Sequence, residues 1–439
     1  MTAPPPPEFA FIQQVPLRPN PVLVVNPLAP PRWYLLRAVV AEEFDDNVRN
    51  DIGGQKKSDF GTFASLGGMY RFESPRAFFQ TASSIGYQYS PRFSDLTGLS
   101  GVNVNAVGGY RLTPRLGVGV SENFSRTKSA LAIDPLFVGA PAIAGVAAGR
   151  VQVIRNSVAP QLNYRLTDRT TFGARYANTI VIPQENTLGG QSTTTNTMGA
   201  SLSHQFTQRT TGVLGYDHII DRSTGSSMHG DNVTAGVSHA LSPRMTLTLN
   251  GSAALRNPEI GAEQTVFAAS VGATRQITPT FTAAAAVGFQ DFVQKGAKNR
   301  LGTSYNVSLE KFGLYYRITA TAGQDTTETF DQVINIGFVR SERYSVTAEY
   351  FPTPAWLFTL QGTYARVDFS QSSNLGVINV TSPSTIDKIY TVTAAVTYRL
   401  TRHFGLNLSY ALVVRDSSQA LSDTSNNRVA LSIFADIWR

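Results

Sequence analysis

The side chains best suited to chemistry in this 439-residue chain are few and scattered. Histidine is the first candidate for proton transfer, because its unperturbed pKa lies near neutrality. There are five: His204, His218, His229, His239 and His403. His204, His239 and His403 stand in or beside turn sequences, which suits a rim rather than a cleft. His218 follows Asp217, but adjacent residues on a strand point to opposite faces and form no dyad. His229 reads as a loop residue close to Asp231. A hydrolytic site would need His229, a nearby acid and a Ser to converge at one rim. No G-x-S-x-G, H-E-x-x-H or P-loop pattern is present. Gly117-Val-Gly119 lies inside a strand pattern, so it is no phosphate loop. The sequence therefore argues against an enzyme and calls for no cofactor. With no Cys, it argues against a disulfide scaffold, a thiolate metal site, a Cys nucleophile and a lipid-modified Cys. The acidic run Glu42-Glu43-Phe44-Asp45-Asp46-Asn47 offers the oxygen ligands that Ca²⁺ takes, but without EF-hand spacing. No metal site is assigned.

The remaining charge is basic. Lys and Arg number 37 against 30 Asp and Glu, a net +7. Only 15% of residues are charged, against about 25% in soluble domains. The basic residues are dispersed at turns with no Lys/Arg-rich run, so nucleic acid is not an expected partner. Eight arginines fall on the polar face of alternating segments: Arg71, Arg111, Arg165, Arg175, Arg256, Arg317, Arg399 and Arg415. Lining a pore, they would favour anions through the local potential. The alternative is that they pair with carboxylates such as Asp217 and Glu349, or bind lipid headgroups.

The elements that must position these residues are strands. No run of 18 apolar residues exists, so no transmembrane helix is expected. One local pattern recurs instead: aromatic, polar, apolar, Thr or Ser, then a turn. Examples are Tyr110-Arg-Leu-Thr-Pro-Arg, Tyr164-Arg-Leu-Thr-Asp-Arg, His204-Gln-Phe-Thr-Gln-Arg and Tyr398-Arg-Leu-Thr-Arg-His. Thr, Ser, Asp and Pro supply the side-chain hydrogen bonds and preset φ that a tight turn requires. The flanks alternate with period 2, as in Tyr390, Val392, Ala394, Val396 and Tyr398 against Thr391, Thr393, Ala395 and Thr397. This is the pattern of strands with one apolar and one polar face. Longer connections fall at about 48–57, 91–100, 128–149, 184–193, 222–230, 257–264, 294–299, 325–341, 371–386 and 417–426. Short turns at one end and long loops at the other are the plan of an outer-membrane barrel, with both chain ends on the periplasmic side. Nine turns and ten loops join twenty strands. The count falls to 18 if the pair around 300–324 or the short strand 342–353 is misread.

A soluble sandwich is the competing fold, and the aromatic residues decide against it. Tyr70, Phe72, Tyr110, Tyr164, Phe206, Tyr350 and Tyr398 enter the short turns. Phe172, Phe281, Trp356 and Phe404 leave them. All fall on the apolar face near one strand end, as a girdle at a lipid–water interface would. The expected fold class is therefore all-β, a transmembrane antiparallel up-and-down β-barrel in the outer membrane of a Gram-negative bacterium. Outer-membrane lipid is its expected surround.

Ten of the 23 prolines fall in residues 1–31. The start, Met1-Thr-Ala-Pro-Pro-Pro-Pro, lacks the basic and apolar regions of a signal peptide. Residues 1–32 are expected to be an extended periplasmic segment, and 33–439 the barrel. This head is a candidate strap for a periplasmic or lumenal protein partner. Twenty strands would give a barrel about 40 Å across, too wide to fill with Gly, Ser, Thr and Asn. The lumen is then water-filled or closed by the head, by a loop or by a partner. The segment 128–149, oddly apolar for a solvated loop, is the candidate lid.

Phe44-Asp45-Asp46-Asn47, followed by Ser58-Asp59, resembles the opening of the bacterial outer-membrane family called beta-barrel porin 2. The rest of the chain resembles it in barrel layout. The resemblance implies an outer-membrane barrel linked to exopolysaccharide export, without a cofactor. At the other end, Val429, Leu431, Ile433, Ala435 and Ile437 form the apolar face and leave Trp438 on the polar one, so a register slip there is one expectation. Two functional readings follow. One is a pore for a solute or polymer, with exopolysaccharide export favoured. The other is a scaffold barrel holding a partner protein in its lumen or on its loops.

Overall fold

The computed structural model of the protein describes residues 32–47, 56–127, 153–183, 192–223, 226–259, 263–294, 300–329, 337–369, 385–418 and 423–438. Residues 1–31 of the Pro-rich head and the apolar segment 128–149 lie outside these residues, while Arg32 opens the first strand. The described residues form twenty strands. The first five are β1 (Arg32–Asp45), β2 (Asp59–Glu73), β3 (Ala77–Tyr89), β4 (Gly98–Arg111) and β5 (Leu116–Thr127). Next come β6 (Val153–Thr167), β7 (Thr170–Pro183), β8 (Thr193–Thr207), β9 (Thr210–Ser223) and β10 (Ser226–Ser242). Then follow β11 (Met245–Pro258), β12 (Gln264–Thr278), β13 (Phe281–Gln294), β14 (Arg300–Phe312) and β15 (Tyr316–Thr329). The last are β16 (Gly337–Thr353), β17 (Trp356–Phe369), β18 (Thr385–Arg399), β19 (Phe404–Ser417) and β20 (Thr424–Trp438). The 3₁₀ turn Ser94–Leu96 is the only helical element among the described residues.

Each strand is antiparallel to the next, and β1 also pairs with β20, so the sheet closes on itself. Closure leaves no edge and satisfies the backbone within the sheet, which a hydrocarbon surround demands. The barrel therefore has twenty strands, not 18. Its strands run 12–17 residues, beyond the about 9–11 that cross a bilayer.

The apolar face points out. Val40, Leu66, Leu249, Val287, Leu360 and Ile433 are each 55–59% exposed. The one buried apolar cluster among the described residues is Ile389 with Val413, packed by Ala365. A sandwich would bury this face against a second sheet; here there is a single closed layer.

The recurrent turn has one physical cause. At Thr167, Thr207, Ser242, Thr353 and Thr401 the hydroxyl oxygen accepts the N–H two residues on, at 3.1–3.3 Å. The turn is thereby closed by its own side chain. Two expectations about strand ends need correction. Residues 222–230 are not a long connection: β9 runs to Ser223 and β10 begins at Ser226. His229 is accordingly a β10 residue, paired with Ile220. The C-terminal register does not slip. β20 stays in step with β1 from Asp45↔Arg428 to Leu35↔Trp438.

The closing seam is pinned at both ends. Near the short-turn end, Arg37 makes a two-pronged ion pair with the buried Asp436, 2.6 Å on each arm, and its guanidinium lies 4.7 Å over the Phe434 ring. At the long-loop end the acidic run forms a latch. Asn426 Nδ2 donates to Asp45 Oδ1 at 2.8 Å and to the Asn47 carbonyl at 2.9 Å. The Asn427 N–H and Nδ2 donate to the two Asp46 oxygens at 2.6 and 2.7 Å. Asn47, fully buried, donates to the Ser425 carbonyl at 3.1 Å.

Candidate functional site

The candidate site is the inner wall. Alternation against the exposed apolar positions places Ser, Thr, Asn, Gly and Ala at its mid-height. These side chains join across strands: Ser157 with Thr179 at 3.0 Å, Thr321 with Ser345 at 2.6 Å, and Asn407 to Thr397 at 2.8 Å. Asn123 likewise donates to Asn105. The result is a neutral surface of hydroxyls and amides.

All eight sequence-assigned arginines alternate with outward residues, so their side chains start from the inner face. Five of them meet carboxylates. Arg71 pairs with Glu73 at 2.7 Å, Arg175 with Asp217 at 2.6 Å, and Arg317 with Glu310 at 2.6 Å. Arg415 pairs with the buried Asp387 at 2.6 Å, and Arg399 stands 3.8 Å from Asp436. Asp217 was anticipated as a partner. Glu349 lies across the ladder from Arg317, yet the ion pair forms with Glu310 on β14. Arg256 donates to the carbonyls of Asp231 at 3.3 Å and Leu255 at 3.0 Å. Arg111 ends β4, and Arg165 lies two residues before the end of β6, both beside short turns. A cation 2.6 Å from a carboxylate projects little net field into the lumen, so the wall is less basic than the arginine count alone implies.

One histidine does meet an acid, on the outer face, and a second stacks on it. His218 Nδ1 lies 2.9 Å from Asp231 Oδ1, and the Tyr216 hydroxyl donates to the same oxygen at 2.6 Å. The His218 and His229 rings stack with centroids 6.2 Å apart. Ser227, the nearest outward hydroxyl along β10, donates to Glu259 at 2.8 Å. The three residue types of a hydrolytic site are thus near one another, but the Ser is engaged elsewhere. His204 and His239 are tied to cross-strand threonines, Thr170 and Thr210, at 2.9 Å each. The Asp45 and Asp46 oxygens considered for Ca²⁺ are engaged by Asn426 and Asn427 in the seam latch.

The aromatic residues fall in two rows. At the short-turn ends, Trp356 lies 4.4 Å from Tyr398 and 5.8 Å from Phe358, ring to ring, and Tyr70 lies 6.2 Å from Phe79. Tyr110, Tyr164, Phe172, Tyr350 and Phe404 are exposed at the same ends, and Phe281 is half-buried there. A second row near the long loops was not anticipated. Tyr344, Tyr364 and Tyr390 follow one another at 5.9 and 5.0 Å, with Tyr305 Oη 2.6 Å from Tyr344 Oη. The signal was present as aromatic pairs within one strand, such as Tyr390 with Tyr398 and Phe281 with Phe289. Eight residues span about 27 Å of strand, or about 20 Å of height at a 40° tilt.

A closed antiparallel barrel, apolar outside and polar inside, defines an outer-membrane β-barrel. Among three solved structures similar to this chain, one reaches the level of a shared fold. The ferric enterobactin receptor PfeA of Pseudomonas aeruginosa is 10% identical, with a TM-score of 0.50 over 92% of this chain and 80% of that one. The siderophore receptor PirA of the same organism is 11% identical, TM-score 0.46, over 92% and 80%. OpdO, also from P. aeruginosa, is 13% identical, TM-score 0.39, over 93% and 97%. At such identity the PfeA likeness speaks for the fold alone. No family model and no curated protein matches the chain. Membership of the porin family that the first strand resembles is therefore not shown, and of the residues carrying that resemblance Asp45, Asp46 and Asn47 have a structural role in the seam.

Proposed function

We propose that the protein is an outer-membrane pore that passes uncharged, hydrophilic solutes or a polymer of them, with an exported polysaccharide the favoured cargo. The observation that carries this reading is the inner wall. A barrel about 40 Å wide, lined with hydroxyls and amides and with its arginines mostly paired, offers many weak hydrogen bonds. It offers few strong charged sites. Conduction needs binding that is weak and repeated rather than tight. The two aromatic rows would mark the two membrane interfaces, and lipid the outer contact. Residues 1–32 and 128–149 remain candidates for gating.

Single-channel conductance in a planar bilayer tests the reading, using the full chain and a form lacking residues 1–32. Large, steady conductance with weak ion selectivity is expected, with a rise on deletion if the head obstructs the pore. Silence in both forms would overturn the open pore and favour the scaffold reading, to be followed by identifying what copurifies.

A further inference from the structure

The outer wall is not uniform around its circumference. Across β16–β20 its outward positions include Val346, Leu360, Val392, Leu408 and Leu431, all exposed and apolar. A groove on that side is lined chiefly by Ala348, Leu360, Ala394, Leu408 and Val429. Across β5–β8, polar side chains enter the same band.

Glu122 is the clearest of them. It shares its face of β5 with Val120 and Phe124, and it is exposed. It stands six residues up the strand from Leu116. That is about 20 Å of strand and about 15 Å of height, near the middle of a ~25 Å apolar band. Among the described residues, nothing donates to its carboxylate. On the next strand Asn156, opposite Phe124, has a buried amide oxygen without a hydrogen-bond partner. On β7 and β8, Tyr176 Oη and Asn178 Nδ2 both donate to Asn196 Oδ1, at 2.7 and 2.9 Å. The Asn196 amide hydrogens find no acceptor among the described residues. The ladder is also interrupted here. β6–β7 pairing steps from Val158↔Asn178 to Gln161↔Arg175, past Pro160, which has no N–H to give.

Hydrocarbon supplies no partner for these groups, and each one left unpaired there is costly. Ionisable groups that persist within a membrane face protein or water. We propose that the β5–β8 face is where a second copy of this chain packs. All copies insert in one orientation, so each brings the complementary set to a comparable height. Glu122 lies six residues above Leu116 and Asn178 eight above Thr170, the first residues of their strands. Rotation about an axis along the membrane normal sets the carboxylate of one copy against the amide donors of the next. The apolar β16–β20 face remains toward lipid. This inference rests on the barrel's membrane placement and not on whether its lumen conducts.

The chain has no Cys, so one introduced thiol reports alone. Val120, beside Glu122, and Leu360, on the apolar side, are both exposed. In outer membranes carrying the full chain, a short bis-thiol crosslinker is expected to convert Val120→Cys to twice the 47.5 kDa monomer. Leu360→Cys is expected to stay monomeric. Adding Glu122→Leu to Val120→Cys should cut the dimer about tenfold, while folded, heat-modifiable monomer persists. Equal dimer yields at both positions would overturn the proposal. So would a Val120→Cys thiol that labels with a membrane-permeant maleimide yet never dimerises, crosslinking chiefly to a different protein, or a dimer undiminished by Glu122→Leu.

Discussion

Among single residues, Gly199 shows how the inner wall is built. Arg175 on β7 and Asp217 on β9 both pair with it in the ladder, so their ion pair bridges over β8 at that point. A methyl on Gly199 would collide with Asp217 Oδ1 and lie 2.9 Å from Arg175 Nε. The glycine is there because the charges cross above it. Gly199→Ala should therefore destabilise the barrel by about 1–3 kcal/mol, the usual cost of overpacking. The contrast is Gly362, where an added methyl would meet no atom within 4 Å. Gly362→Ala should be neutral, or more stable by about 0.5 kcal/mol through reduced backbone entropy in the unfolded chain. The urea midpoint at which the folded band is lost from unheated gels separates the two. Equal midpoints would remove the bridge as the reason for the glycine.

Among the elements, the seam between β1 and β20 carries the sharpest prediction. Burial alone would raise the pKa of Asp46. The backbone and side-chain hydrogen bonds from Asn427 outweigh it, helped by Lys56 at 3.4 Å, and hold the carboxyl below its ordinary value. A depressed carboxylate stabilises the fold above its unfolded pKa, and that contribution is lost as pH falls through the folded value. The latch should hold at neutral pH and weaken only below about pH 4. In Asp46→Asn, the melting temperature should be lower at pH 7, and its further fall on acidification should be shallower than in the parent. A fall of the same size in both would show that other carboxylates govern acid sensitivity. The seam also marks what a sequence can disclose. Period 2 and the Thr-x-Arg turns give strands, faces and turn ends, because those depend on neighbours two or three residues away. The partners of Asp45 and Asp46 lie some 380 residues off, and alternation assigns a face without assigning a partner. The same gap hid Glu310 as the mate of Arg317. His229 was misplaced because Gly and Ser between 222 and 230 look like loop chemistry. In the barrel, Gly230 is a strand residue overlain by the Arg256 side chain, whose Cδ would lie 2.8 Å from an added Cβ.

For the whole molecule, the balance of charge at the mouths should govern ion selectivity. Arg71 with Glu73 and Arg317 with Glu310 are the paired arginines nearest the short turns at 74–76 and 313–315. Their carboxylates are 55% and 40% exposed. Exposed pairs contribute about 0–1 kcal/mol each, so Glu73→Gln with Glu310→Gln should leave the barrel folded. The exchange frees two cations at one mouth. Their field reaches about 8 Å at physiological ionic strength and about 30 Å at 0.01 M salt, against a lumen about 40 Å across. Reversal potentials in a KCl gradient should therefore move toward anions in the double variant, clearly at low salt and barely at high salt. The parent should stay near unselective throughout. An anion bias already present in the parent would mean that the paired arginines still act as free charge. A double variant unchanged at low salt would mean that these residues stand outside the path of the ions.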